Sequence, residues 1–92
     1  MKSYLLVFDP KNNSQGYSNF LANVASEARK LEEIECLSGN VYMIPENRFL
    51  EFVSSIGFLL TVEKNRVGIT YKYKCLAVEE DAQWLRFEGY QQ

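Results

Sequence analysis

Histidine is absent from the 92 residues, and that absence removes more chemistry than any other feature of the composition. It excludes Ser-His-Asp and Cys-His triads, His-ligated zinc and the usual neutral-pH general base. The two cysteines, Cys36 and Cys75, are too few for a structural zinc site and form no CxxC pair; they read as small apolar residues of the interior. Long hydrophobic runs are missing too. Nothing approaches the roughly 18 apolar residues of a membrane span, so no membrane partner is expected. Neither sign of charge is in excess: ten basic and twelve acidic residues leave a net charge of −2. Such a balance creates no whole-chain field for nucleic acid, whose binders are strongly basic. Chemistry must come from carboxylates, a metal, Tyr, Lys or Cys.

What is present is ordinary globular material, 47% hydrophobic and 24% charged. The length fits one domain over residues 1–92, with 80–92 as a tail. Met1-Lys2-Ser3 leads directly into a strand, which reads as no signal peptide and, by default, a cytoplasmic protein. That strand, Tyr4-Leu5-Leu6-Val7-Phe8, is apolar at every position, as expected of a strand covered on both faces. Asp9 closes it and opens a polar loop. A carboxylate at the C-terminal end of a buried strand stands where open α/β sheets place function. Asp-Pro is equally a common turn opener.

Apolar residues at Tyr17, Phe20, Leu21, Val24, Ala25, Ala28 and Leu31 predict a helix from about Ser18, as N-cap, to Glu32, with an Arg29–Glu33 pair on its surface. Ile34–Leu37 and Val41–Ile44 around Gly39 predict a hairpin. Asn47 then caps a second helix with Phe49, Phe52, Val53, Ile56, Leu59 and Leu60 on one face. Gly57 weakens that helix; a competing reading ends it there and makes 58–63 a strand. The helical spacing continues past the glycine, which favours the helix. Alternation from Val67 to Glu79 predicts a long last strand.

Strand, helix, strand, strand, helix, strand is the split βαβ order of a ferredoxin-like α+β domain, with an antiparallel sheet and both helices on one face. In the expected strand order 4-1-3-2, Cys36 and Cys75 fall on opposite edges, too far apart to bridge, and remain free thiols. The other face of the sheet then needs cover. A homodimer through Leu5 and Val7, with the tail residues Trp84, Leu85 and Phe87 crossing to the partner, is the simplest way to supply it.

Tyr4-Leu5-Leu6-Val7-Phe8-Asp9 and Gly39-Asn40-Val41-Tyr42, placed on the first and third strands, resemble the virulence-associated protein D family of small endoribonucleases. The wider group includes the small CRISPR adaptation nuclease and a ribonuclease antitoxin. The resemblance covers nearly the whole chain in element order and rests on those two strand motifs. It implies a ferredoxin-like homodimer in which Asp9 is catalytic and, with its symmetry mate, holds a divalent metal for RNA cleavage. The acidic pI and Pro10 depart from what an RNA binder prefers. Mg2+ suits such a site, because it is held by one or two carboxylates plus substrate phosphate. RNA contacts would fall to Lys11, Arg66, Lys72 and Lys74, with Tyr17 and Tyr42 available for stacking. The reading is thus a metal-dependent endoribonuclease of toxin–antitoxin type. The alternative is a catalytically silent dimer that acts on a toxin or antitoxin protein by contact.

Overall fold

A computed structural model describes residues 2–9, 16–79 and 82. Its elements are β1 (Ser3–Phe8), α1 (Tyr17–Lys30), β2 (Glu35–Ser38), β3 (Val41–Pro45), α2 (Glu46–Val67) and β4 (Tyr73–Val78). They form an α+β domain whose four strands lie in the order β2-β3-β1-β4, antiparallel at every pairing. Element order and strand order are those expected, and the arrangement is compatible with a ferredoxin-like fold.

Register decides which residues share a face. Leu6 stands opposite Tyr42 on β3 and Cys75 on β4, while Tyr4 stands opposite Ile44 and Ala77. The period of two places Leu6, Phe8, Tyr42 and Ile44 beneath the helices, all fully buried. Phe20, Val24 and Ala28 come down from α1, and Phe52 and Ile56 from α2, to complete one core. Leu5, Val7, Val41, Met43 and Leu76 share the opposite face, which no described element covers, and Leu76 is 62% exposed. The two-sided apolar character of β1 therefore has two causes: its even-numbered residues build the core, and Leu5 and Val7 give the outer face an apolar centre, with Lys74 and Glu35 on the same side of the sheet.

α2 runs unbroken through Gly57, so 58–63 are helical and the competing strand is ruled out. A Cβ at Gly57 would meet nothing within 4 Å. Gly68 is different: it ends α2 in the left-handed region, at φ 74°, with its N–H donating to the Lys64 carbonyl at 2.8 Å. These two glycines should respond oppositely to alanine. Gly57→Ala is expected to stabilise the domain by about 0.5–1 kcal/mol, and Gly68→Ala to destabilise it by roughly 1–2 kcal/mol. Denaturant midpoints of the two variants would show both signs.

Five local expectations are corrected. α1 starts after Gly16 rather than at a Ser18 cap, with no side-chain cap at all, and ends at Lys30 because Leu31 turns extended. The Arg29–Glu33 pair gives way to Arg48, which lies 3.6 Å from Glu33, since Glu33 has left the helix at φ 80°. Asn47 lies inside the first turn of α2 and donates to Glu33 at 3.3 Å. The role expected of it is taken by main chain, as the Glu46 N–H donates to the Lys2 carbonyl at 3.0 Å. Finally, β4 begins at Tyr73 rather than Val67, because α2 consumes residues through Val67 before Gly68 can turn the chain. Cys36 and Cys75 are free and sit on opposite edge strands as expected, yet both are exposed rather than interior.

Candidate functional site

Main chain at the end of β1 is fastened from three sides. On the β3 side, the Phe8 N–H donates to the Asn40 carbonyl at 2.9 Å, and the Asn40 side-chain amide donates back to the Phe8 carbonyl at 3.0 Å. The Ser38 hydroxyl donates to Asn40 Oδ1 at 3.0 Å, which fixes the direction of that amide. On the β4 side, the Asp9 N–H donates to the Lys72 carbonyl at 3.0 Å. From α1, the Tyr17 hydroxyl donates to the Asp9 carbonyl at 2.8 Å. The two strand motifs of the sequence thus meet in space: Asn40 of one clamps the strand that delivers Asp9 of the other. Asn40→Ala should cost about 1 kcal/mol, read as a lower denaturant midpoint.

Asp9 is half-buried on the rim of a cavity of about 780 Å³ that Val7, Leu60, Thr70, Tyr71, Lys72, Tyr73 and Lys74 also line. Among the described lining residues, Lys72 and Lys74 are exposed and outnumber the one acid, Asp9. Beneath it lies an aromatic floor. Tyr71 packs on Tyr17 and Phe20 at centroid distances of 4.9 and 4.7 Å, and Phe20 meets Phe8 edge-on at 5.6 Å. Each such pair contributes about 0.5–1.5 kcal/mol beyond its buried area.

The residues expected to touch RNA therefore divide. Lys72 and Lys74 join Asp9 in one groove. Tyr17 is buried and its hydroxyl is committed to the Asp9 carbonyl, so it positions the strand end and presents no face for stacking. Tyr42 is fully buried against Phe52 at 5.4 Å and equally has no face for a base. Burial, with the Cys36 thiol as a lesser cause, pushes its hydroxyl up to about 12. That thiol donates to the Ser38 carbonyl, leaving the Tyr42 hydroxyl without a hydrogen-bond partner. Arg66 donates to Glu63 at 2.8 Å, and this bond raises its pKa further. Lys11, Trp84, Leu85 and Phe87 lie outside the described residues, whereas Leu5 and Val7 are half-buried on the uncovered sheet face.

One residue of this end of the molecule escaped the sequence reading. Glu63 is 8% exposed, pairs through one oxygen with Arg66, and has no partner on the other. That second oxygen lies 3.7 Å, and the Tyr71 hydroxyl 3.4 Å, from where a Cβ on Gly16 would stand. The signal was available: Glu63 follows Ile56 and Leu60 at helical spacing and so falls on the buried stripe of α2. Among the described residues no three His, Cys, Asp or Glu side chains converge on a metal-sized site, and no helix is long and apolar enough to cross a membrane. Compared with family models, curated proteins and solved structures, the chain finds no match.

Proposed function

We propose that the chain acts in the cytoplasm as a homodimeric, Mg2+-dependent endoribonuclease in which each copy contributes Asp9. The observation that carries this reading is the placement of Asp9. A strand-end carboxylate, its main chain held by Lys72 and Tyr17, stands on the rim of a groove with two exposed lysines. Among the described residues of one chain no acidic cluster of three forms. Two Asp9 carboxylates across a two-fold axis match what Mg2+ accepts from a protein, the remaining positions going to water and substrate phosphate. When bound, the ion would supply an activated water and charge stabilisation at the leaving oxygen. The chain's own residues do the rest. Lys72 and Lys74 contact the phosphate backbone, Thr70 adds a hydroxyl donor, Asn40 fastens the Phe8 main chain, and Tyr17 with the Lys72 carbonyl fastens that of Asp9. The uncovered apolar face around Leu5, Val7 and Leu76 supports the two-fold pairing.

A second reading keeps the dimer and drops the catalysis, making the protein a contact inhibitor of a toxin or antitoxin partner. It is favoured by the loss of Arg66 to Glu63 and by the burial of both stacking tyrosines, which leave a thin footprint for RNA. RNA cleavage assayed with added Mg2+ and with chelator separates the two: metal-dependent cleavage supports the nuclease, and its absence over a range of RNAs and divalent metals leaves the inhibitor.

A further inference from the structure

We propose that Cys36 is a modification site, oxidised by hydrogen peroxide to a sulfenic acid whose oxygen accepts a hydrogen bond from the Tyr42 hydroxyl. The inference stands independently of the nuclease reading. Cys36 and Tyr42 stand directly opposite each other in the β2–β3 pairing, so both side chains leave the same side of the sheet. Cys36 is exposed on an edge strand, open to a small oxidant. Tyr42 is fully buried, and its hydroxyl has no hydrogen-bond partner. The thiol lies close enough to that hydroxyl to act on its ionisation. Yet the thiol commits its proton to the Ser38 carbonyl, 3.1 Å away, and leaves the hydroxyl only sulfur, a weak acceptor. Few buried polar groups of a native protein stay unpaired, and an orphan donor beside a reactive atom points to a missing acceptor.

Oxidation supplies that acceptor. The Cys36 sulfur attacks one oxygen of the peroxide, and the S–O bond forms as the O–O bond breaks. The thiol proton leaves with the other oxygen as water. Sulfur loses two electrons and the peroxide gains them. The oxygen now on sulfur accepts from Tyr42, and its own proton replaces the S–H as donor to the Ser38 carbonyl. The product also lasts. A sulfenic acid is consumed by condensation with a second thiol, and Cys75 lies on the far edge strand, with β3 and β1 between. Three strand spacings of about 4.8 Å exceed the roughly 7 Å that a disulfide can span. Cys75 is itself an internal comparison, an exposed edge-strand thiol that stands opposite the apolar Leu6.

The test exposes the reduced full-length protein to hydrogen peroxide, quenches with catalase and labels sulfenic acid with dimedone. Peptide mass spectrometry reads each cysteine separately. Cys36 is expected to carry the greater label in the wild type. Burial pushes the Cys75 thiol up, which slows that thiol by itself, so a variant isolates the part played by Tyr42. Tyr42→Phe removes only the unpartnered oxygen and keeps the ring against Phe52, and circular dichroism should show the same helices. Its Cys36 label should fall about fivefold, the equivalent of one hydrogen bond, with the Cys75 label unchanged. In denaturant, where the strands part, the wild-type excess on Cys36 should disappear. Wild-type label on Cys36 no greater than on Cys75 overturns the proposal. So does a Cys36 label that Tyr42→Phe leaves intact, or an excess that persists in denaturant.

Discussion

Asp9→Asn is expected to lower RNA cleavage by roughly two orders of magnitude or more, the effect of losing several kcal/mol of metal-borne charge stabilisation. The fold should survive. The hydrogen bonds that fix this position use the Asp9 N–H and carbonyl, which asparagine keeps, and asparagine is as good a turn former as aspartate. Without metal, the variant dimer should melt slightly higher than wild type. Two carboxylates about 4 Å apart repel by roughly 4 kcal/mol at an effective dielectric near 20, an upper bound for the gain. Were Asp9 only a turn opener, asparagine would be neutral in both assays. Cleavage rate and melting temperature, measured with and without Mg2+, separate the cases.

Phe52→Ala is expected to produce the largest loss of stability. Phe52 is fully buried where α2 meets β3, and its ring meets Tyr42 edge-on at 5.4 Å. Truncating such a residue costs about 3–5 kcal/mol in transfer and cavity terms. A chain of this length has about 5–14 kcal/mol in all. The Tyr42 ring would then lose its edge-on aromatic contact. A denaturant midpoint close to wild type would mean that the core does not centre on this contact.

How far the sequence could be read follows from the range of the interactions involved. The unbroken run of β1 and the helical spacing of α2 past Gly57 are local patterns, and both elements stand as expected. So does the strand order, because split βαβ connectivity restricts the sheet to few arrangements. The limits of α1 and the start of β4 were misread where main chain replaced the anticipated signal. Gly16 precedes α1 without a side-chain cap, and Gly68 in the left-handed region stops α2. At the site, Asp9 announced itself as the polar end of an apolar strand. The Asn40 clamp spans a separation of 32 residues and had no local signature. Tyr42 looked available because nothing nearby in sequence showed the Phe52 ring that engages it, whereas the i,i+3 spacing of Glu63 and Arg66 on α2 was a local signal for their pair.

The account turns on whether Asp9 and the lysine-lined groove act on RNA. The most direct measurement is hydrolysis of a mixed set of labelled RNAs by purified wild-type protein, in Mg2+ and in excess chelator, with Asp9→Asn alongside. The proposed function requires cleavage by wild type in Mg2+, none in chelator, and none by folded, dimeric Asp9→Asn. No cleavage by wild type under any divalent metal, or equal cleavage by Asp9→Asn, would contradict it.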